Sequence, residues 1–221
     1  MTACGGGLGG AEPPDVQRRG GERQADHEIE DGTPAVETVV KLGGGVLAHA
    51  AHFDASLAAI GAAARQHRLL VVTGGGPFAD AVRQVDRRLA LPDETAHWMA
   101  VLAMDQYAHL VAARLAGAVL VADPREIAAS LGSAGTVPVL TPYRWLREAD
   151  PLPHTWTVSS DSIAAWVAGA VGARRLVLVK PPGASGSDLV DAYFSRALPA
   201  GVTSVIVPAD HVDALESALR G

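Results

Sequence analysis

Hydrophobic positions from residue 36 onward form short apolar runs that alternate with segments of helical spacing. The short runs, at 36–41, 68–73, 118–121, 137–140, 176–179 and 202–207, are rich in β-branched residues and predict buried strands. Helical spacing covers 53–66, 77–89, 93–115, 124–131, 160–171 and 211–219, and residues 141–157, with three prolines, are predicted to form a loop. This alternation predicts an α/β protein, a three-layer α/β/α sandwich around a mainly parallel sheet.

Residues 1–34 do not follow this alternation. Seven acidic residues and three arginines give this segment −4 of the chain's formal charge of −6, and it holds few large apolar side chains. Such composition predicts a disordered or processed extension ahead of a single domain over 35–221. Gly5, Gly7 and Gly10 match a dinucleotide fingerprint by spacing alone, because no predicted strand precedes them.

Composition narrows the class of protein further. A chain of 221 residues with 48% hydrophobic residues can bury a substantial core, yet no apolar run is long enough to span a membrane and no secretory signal is recognisable. One cysteine, Cys4, indicates a reducing compartment, and net negative charge disfavours nucleic acid as a partner. We therefore expect a cytoplasmic protein with a small-molecule ligand and no nucleic-acid or membrane partner.

Two residues are conspicuous by type. Of 18 basic residues only Lys41 and Lys180 are lysines, and the others are arginines. In such a chain a lysine indicates a position that needs a compact ammonium group rather than a planar guanidinium. Both lysines end predicted strands, and ligands of parallel α/β sheets bind beyond the carboxyl ends of the strands. Lys41 and Lys180 are therefore candidate catalytic residues.

Glycine-rich turns follow two of the predicted strands. One contains Gly43, Gly44 and Gly45, directly after Lys41, and the other contains Gly74, Gly75 and Gly76, at the start of a helix. Amides that no side chain covers form anion-binding nests, and a nearby ammonium favours phosphate. The lysine precedes the glycines, so this is not a Walker A loop. Two nests suggest two anionic groups, such as a phosphoryl donor and an acceptor.

Charged and hydroxyl side chains add to this picture. Arg83 lies one helical turn beyond the second glycine turn, where it could contact an anion. The segment Ser-Ser-Asp-Ser at 159–162 precedes a helix, so one serine serves as the N-cap and Asp161 as the favourable first-turn acid. Capping does not require all four polar side chains, and Asp161 could hold the lysine ammonium groups between two phosphates.

Taken together, the segments around Lys41, the second glycine turn and Asp161 resemble the amino-acid-kinase family over about residues 36–221. Members of that family transfer the γ-phosphoryl group of ATP to a carboxylate, carbamate or phosphate oxygen. The resemblance implies an acceptor half at about 35–155 and an abbreviated nucleotide half at about 156–221. It also implies ATP and Mg²⁺ as cofactors, with the ion bound by phosphates and water rather than by a protein metal site.

The same resemblance assigns roles to residues. Lys41, Asp161 and Lys180 would be catalytic, and Asp161 would organise the two lysines. Phosphoryl and ATP binding would involve Lys41, Gly43, Gly44, Gly45, Ser160, Lys180 and Gly183. The acceptor would contact Gly74, Gly75, Gly76, Asp80, Arg83, Asp105 and Trp156. Many family members have an Asp-Val-Asp-Gly-like segment after the late strand, whereas this chain has Val-Lys-Pro-Pro-Gly at 179–183.

Within that family the chain is similar to the small aminomethylfuran-phosphate kinases of methanofuran-type cofactor synthesis. The likeness rests on Gly-Gly-Gly-Pro-Phe-Ala-Asp at 74–80, Trp98 with Met-Asp-Gln at 104–106, and Trp-Thr-Val-Ser-Ser-Asp-Ser at 156–162. The implied reaction converts a phosphomonoester to a diphosphate. An aminated acceptor would need a carboxylate, for which Asp80 or Asp105 is the candidate, and Trp156 would cover its ring.

Other functions remain open from the sequence. The chain could phosphorylate a carboxylate acceptor such as an amino acid, or it could be a non-catalytic member that binds nucleotides or oxyanions. A dinucleotide-dependent oxidoreductase is disfavoured because the turns at the predicted strand ends hold glycine triplets instead of the fingerprint of that class. The predicted helix at 93–115 is very apolar for a surface helix, which suggests a homodimer or a higher homo-oligomer.

Overall fold

The computed structural model describes residues 36–186 and 189–220, so the predicted extension at 1–34 lies outside the described residues. Six strands are present: β1 (Thr38–Leu42), β2 (Leu69–Thr73), β3 (Ala118–Val121), β4 (Val137–Leu140), β5 (Arg175–Lys180) and β6 (Thr203–Pro208). The helices are α1 (Ala50–Ala63), α2 (Gly76–Leu89), α3 (Asp93–Arg114), α4 (Pro124–Leu131), α5 (Tyr143–Ala149), α6 (Ser160–Ala170), α7 (Phe194–Ala197) and α8 (Val212–Arg220).

All six strands belong to one parallel sheet with the order β3-β4-β2-β1-β5-β6. The strand β1 lies in the middle, with β2 on one side and β5 on the other. Because these three strands are parallel, their carboxyl ends meet at one edge of the sheet. This edge therefore brings together the glycine turn after β1, the glycine turn after β2 and the segment after Lys180.

Each face of the sheet has its own hydrophobic core. Successive residues of β1 alternate between the two, since Val39 packs in the core that includes α6, and Val40 packs in the core that includes α1 and α8. The same alternation holds in β2, where Leu70 and Val71 belong to opposite cores. The predicted three-layer α/β/α sandwich is therefore confirmed.

The prediction for residues 141–157 is partly wrong, because α5 lies within the segment that was expected to be a loop. Its N-cap is Pro142, and the helix ends at Asp150 in the left-handed region, with φ of 40°. Proline is tolerated at the start of a helix, where its missing N–H would have no partner. The prolines therefore flank this helix rather than prevent it. A 3₁₀ helix over Gly44–Ala48 was also not predicted.

The long helix α3 packs against both cores, which explains most of its apolar character. Trp98 and Met104 belong to the core on the α6 side, whereas Tyr107 and Val111 belong to the core on the α1 side. Leu102 is an exception, with 41% of its surface exposed. No helix in the described part of the chain is long and apolar enough to cross a membrane.

Candidate active site

Lys41 and Lys180 point to the same face of the sheet. Side chains alternate along a strand, so Lys41 shares a face with Val39, and Lys180 shares a face with Leu178. Both of these apolar residues pack in the core that contains α6. The two lysines therefore lie on the side of the sheet where α6 begins, and both are buried.

Asp161, in the first turn of α6, lies between the two lysines. Its Oδ1 is 2.8 Å from Nζ of Lys41, and its Oδ2 accepts a hydrogen bond of 2.7 Å from Nζ of Lys180. The contact with Lys41 has the distance of an ion pair but not the alignment of a hydrogen bond, since Oδ1 has no aligned donor among the described residues. One carboxylate and two ammonium groups leave a net positive charge.

Burial and charge have opposite effects on these groups. Burial disfavours the charged form of Asp161, but the charges of Lys41 and Lys180 outweigh burial and hold the pKa of this carboxyl below its usual range. Burial and the charge of Lys41 lower the pKa of Lys180, although Asp161 acts in the opposite direction. The carboxylate stays ionised at neutral pH, so that it can hold both lysines.

The two glycine turns are in direct contact with each other. A Cβ on Gly44 would lie 2.3 Å from the backbone N of Gly76, and one on Gly74 would lie 2.7 Å from the backbone N of Gly44. The latter Cβ would also be 3.3 Å from Oγ of Ser160. Glycine is required here because backbone packs on backbone. Both turns and the start of α6 therefore meet at one point.

Four amides in these turns have no protein acceptor among the described residues. Gly43 donates to Val179 O at 2.8 Å and Gly74 donates to Leu42 O at 2.8 Å, so each turn is anchored by its first amide. The amides that remain free in the described structure are those of Gly44, Gly45, Gly75 and Gly76. They lie at the starts of the 3₁₀ helix and of α2, where the backbone favours an anion.

A cavity of about 310 Å³ opens at this point. Its lining includes Lys41, Gly44, Gly45, Gly75, Gly76, Asp80, Arg83, Trp156, Ser160 and Asp161. Ten of the predicted site residues thus face one cavity. A second cavity, of about 610 Å³, lies between α1 and the end of α3 at the opposite edge of the sheet, and its lining contains none of them.

Asp80, Arg83 and Trp156 form one wall of the first cavity. Nη1 of Arg83 is 2.9 Å from Oδ1 of Asp80, and its guanidinium lies 5.1 Å from the centroid of the Trp156 ring. Nε1 of Trp156 donates a hydrogen bond of 2.7 Å to Oδ2 of Asp86 on α2. This contact ties the segment before α6 to α2 across the cavity.

Other predicted site residues lie outside the cavity lining. Asp105 accepts a hydrogen bond of 3.1 Å from the backbone N of Tyr143, and burial raises its pKa to about 6. It adjoins Met104, which does line the cavity, but successive side chains on a helix point about 100° apart. Lys180 does not line the cavity, but it pairs with Asp161, which does. The backbone N of Gly183 donates to the carboxylate of Asp210 at 3.2 and 3.3 Å.

Two residues that the sequence analysis did not single out contribute to this region. His97 lines the cavity and stacks on His154, with ring centroids 4.5 Å apart. Burial and the charge of His154 lower the pKa of His97 to about 4, so its imidazole is neutral at pH 7. Asp191 accepts hydrogen bonds from Ser159 and Ser162 at the start of α6. Asp191 lies far from α6 in the sequence, so no local sequence pattern indicates that the two are in contact.

The donor set of the cavity suits a phosphate rather than a bare cation. Backbone amides and the ammonium group of Lys41 lie where the turns meet, and the carboxylate of Asp161 is already paired with two lysines. In the described part of the chain, no three His, Cys, Asp or Glu residues cluster as metal ligands would. A Mg²⁺ ion would therefore be held mainly by the phosphates of a bound nucleotide.

Fold and charge distribution together define a class, an α/β protein with a cavity suited to an anion at the carboxyl edge of its sheet. A model of the Amino acid kinase family matches residues 37–181. The chain belongs to this family, as the sequence predicted, and it is a kinase, a phosphotransferase.

Individual relatives agree with this assignment. The chain is 24% identical over 188 residues to the [5-(aminomethyl)furan-3-yl]methyl phosphate kinase of Methanocaldococcus jannaschii, covering 81% of this chain and 77% of that protein. Its fold is similar to that of uridylate kinase from Archaeoglobus fulgidus, with a TM-score of 0.63, 16% identity and coverage of 84% and 96%. UMP kinase from Ureaplasma parvum matches with a TM-score of 0.65, 14% identity and coverage of 83% and 96%.

Proposed function

We propose that this kinase transfers the γ-phosphoryl group of ATP to the phosphate of a small phosphomonoester, which becomes a diphosphate. An oxygen of the acceptor phosphate attacks the γ-phosphorus, the bond between that phosphorus and the β–γ bridging oxygen breaks, and ADP leaves. The observation that carries the proposal is the meeting of both glycine turns and the Lys41–Asp161–Lys180 group at one cavity.

In the proposed arrangement each turn serves one substrate. Gly44, Gly45 and Lys41 bind the transferring phosphoryl group, and Gly75 and Gly76 bind the acceptor phosphate. Phosphoryl transfer depends mainly on positioning and on stabilising the charge of the phosphoryl oxygens. Lys41 faces the cavity and supplies that stabilisation, while Asp161 holds Lys41 in place.

Lys180 is proposed to contact the nucleotide phosphates from the far side of Asp161. It ends β5, and the backbone of Gly183 follows in the same segment, where it is held by Asp210. A Mg²⁺ ion bound with ATP would reduce the negative charge of the phosphates, with most of its ligands from phosphate and water rather than from this chain.

The proposed acceptor is [5-(aminomethyl)furan-3-yl]methyl phosphate, which is named for the M. jannaschii relative. Its ammonium needs a carboxylate when desolvated, and Asp80 is the candidate carboxylate that faces the cavity. Arg83, now paired with Asp80, would take the acceptor phosphate, and Trp156 would cover the ring. The neutral imidazole of His97 adds no positive charge that would repel the ammonium.

A panel of acceptors tests this proposal. Purified full-length protein would be incubated with ATP, Mg²⁺ and one acceptor at a time, with ADP release and ³¹P NMR of the product as readouts. The panel contains the aminomethylfuran phosphate, its hydroxymethyl analogue, UMP, aspartate and N-acetylglutamate. Diphosphate formed with the aminated furan phosphate at the highest kcat/KM supports the proposal. Turnover of UMP or of a carboxylate alone contradicts the acceptor, and ATP binding without turnover of any acceptor favours a non-catalytic member.

A matched pair of variants tests the role of Asp80. Asp80→Asn should lower kcat/KM for the aminated acceptor by at least about tenfold, the usual cost of losing a charged hydrogen-bond partner, and spare the hydroxymethyl analogue. Asp54→Asn is the control, since Asp54 is also an exposed helix carboxylate paired with an arginine, at 2.7 Å from Arg114. Equal losses with both acceptors would remove Asp80 from ammonium recognition.

We also propose that the protein works in the cytoplasm as a homodimer or a higher homo-oligomer. The exposed side chain of Leu102, in the middle of α3, supports a subunit contact on that helix. Sedimentation equilibrium of the full chain and of Leu102→Glu tests this, because a contact through α3 should be weakened by the buried charge.

A further inference from the structure

Asp191 is a carboxylate outside the cavity that the proposed mechanism does not use. Its Oδ2 accepts hydrogen bonds from the backbone N of Ser159 at 3.0 Å, from Oγ of Ser159 at 2.7 Å and from the backbone N of Ser162 at 3.0 Å. Its Oδ1 accepts from Oγ of Ser162 and from the backbone N of Tyr193 at 3.1 Å. All five neighbours donate, so the position fits a carboxylate and not an amide, which would turn N–H groups towards donors.

These contacts fix the residues on both sides of Asp161. Ser159 is the N-cap of α6, and Ser162 lies in its first turn. Asp161 itself donates its backbone N–H to Oγ of Ser159 at 3.4 Å, which is a long bond. Asp191 therefore supplies most of the hydrogen bonds that hold the first turn of α6, and through this turn it sets where the Asp161 carboxylate points.

Asp191 also lies on the same segment of chain as Lys180. Lys180 bonds the side chain of Asp161, and Asp191 bonds the serines that flank Asp161. The first turn of α6 is thus held by the last residue of β5, Lys180, and by Asp191 in the chain that follows β5. The negative charge of Asp191 also favours the charged form of Lys180.

Building on the kinase function proposed above, we propose that Asp191 is a positioning residue that holds the Asp161 carboxylate in register with Lys41 and Lys180. It touches neither substrate nor nucleotide in this arrangement and acts through Ser159 and Ser162. An electrostatic site for phosphoryl transfer loses rate when its charges are misplaced by small distances. The alternative is that Asp191 only caps α6 and contributes stability.

The scarcity of lysine gives a direct measurement. Lys41 and Lys180 are the only lysines in the chain, so the side-chain NMR signals of ¹³C-lysine-labelled full-length protein come from the site alone. Asp191→Asn should shift the Cε signals of both lysines and lower the pKa at which Lys180 titrates. Ser162→Ala removes a single hydrogen bond to Asp191 and should shift the same signals in the same direction by less.

Asp123→Asn is the matched control. Asp123 is the N-cap of α4, where it accepts a hydrogen bond of 2.9 Å from the backbone N of Glu126. This variant removes the negative charge that pairs with Arg144, so it should lower the melting temperature and leave both lysine signals unchanged. In the kinase assay, Asp191→Asn should lower kcat by about tenfold to a hundredfold, the range seen for a misplaced group, with KM values within about twofold of wild type.

Two results would overturn the proposal. One is a folded Asp191→Asn protein whose lysine signals superimpose on those of wild type. If that variant does not fold, unchanged lysine signals in Ser162→Ala are the deciding result against it. The NMR measurement needs no substrate, so it reports on Asp191 even if the acceptor panel fails to identify a kinase reaction.

Discussion

At the scale of single residues, the charge balance around Asp161 explains why this site favours a bound anion. Its carboxylate neutralises only one of the two buried ammonium groups, so these three side chains together carry one excess positive charge. A buried charge without a partner is unfavourable. A phosphate beside Lys41 would supply the missing negative charge, which links the electrostatics of the fold to the proposed ligand.

Replacing Lys41 with alanine should lower kcat by about 10²–10³, the cost of losing one preorganised donor. KM for ATP and for the acceptor should change much less, because the contact is expected to strengthen as charge develops on the moving phosphoryl group. Steady-state kinetics would measure both constants. Arg114→Ala, at an exposed ion pair on the opposite edge of the sheet, should leave them unchanged. Wild-type turnover in Lys41→Ala would remove this lysine from the mechanism.

Asp161→Asn should destabilise the protein as well as inactivate it. The substitution leaves two buried ammonium groups close together, and breaking a buried ion pair costs about 3–5 kcal/mol. Urea denaturation at pH 7 would measure the difference, and Asp54→Asn should cost less than about 1 kcal/mol as an exposed pair.

The difference in stability between wild type and Asp161→Asn should depend on pH in a defined way. The folded pKa of Asp161 lies below its unfolded value of about 3.9, so its contribution to stability is complete above that value. The contribution is lost as pH falls through the folded pKa, and the stabilities of wild type and Asp161→Asn should then converge. A constant difference down to strongly acidic pH would contradict the ion pair.

Lys180 should set an alkaline limit on activity. Burial lowers its pKa, so the ammonium loses its proton at a lower pH than a free lysine, whose pKa is about 10.4. The alkaline limb of kcat/KM for ATP should therefore fall below that value. In Lys180→Arg the guanidinium stays protonated, so the limb should move to higher pH although the rate is reduced. An identical limb in both proteins would assign it to another group.

Sequence alone could predict the lysines, the glycines and Asp161, because each lies at a strand end or helix start that local patterns reveal. Sequence alone could not decide whether Asp105 or its neighbour Met104 faces the cavity, because a small rotation of the helix about its axis changes which of the two side chains does so. Asp191 meets Ser162 across 29 residues of sequence, and no local pattern indicates such a contact. The low pKa of His97 likewise arises from burial and from the charge of His154, which lies far along the chain.

At the scale of elements, the two glycine turns act as one unit because their backbones touch. Gly44→Ala would place a Cβ 2.3 Å from the backbone N of Gly76 and must push the turns apart. We expect loss of detectable activity and a lower melting temperature. Gly61→Ala is the control, because its Cβ would meet only the end of the Leu115 side chain, at 3.4 Å.

The control variant Gly61→Ala should even stabilise the protein, since alanine is favoured over glycine inside a helix by about 1 kcal/mol. Calorimetry and the kinase assay on both variants measure the contrast. A fully active Gly44→Ala protein would show that close packing of the turns is not required.

The predictions of elements succeeded where apolar periodicity decides the structure, and they were wrong where capping decides it. Apolar runs predict six buried strands, and all six strands are present, but the edge strands β3 and β6 are only partly buried. The proline content of residues 141–157 predicts a loop, whereas Pro142 and Pro151 flank the helix α5. The N-cap position of Pro142 and the left-handed conformation of Asp150 are properties of three-dimensional structure that proline content does not reveal.

At the scale of the whole molecule, the parallel sheet brings together groups that lie far apart in sequence. The strand β1 lies between β2 and β5, so both glycine turns and Lys180 reach one edge. Asp161 approaches that edge from the layer of helices above it.

We expect a protein that starts at Ala35 to keep the melting temperature and the activity of the full chain. The removed residues 1–34 are rich in glycine and acidic residues and contain too little apolar surface to stabilise the domain appreciably, at about 25 cal/mol per Å² buried. Differential scanning calorimetry and the acceptor panel, run on both lengths, measure the two properties. A melting temperature lower by more than about 4 °C, equivalent to roughly 1 kcal/mol or more, would show that the segment packs on the domain. A loss of activity alone would show that it contributes to substrate binding.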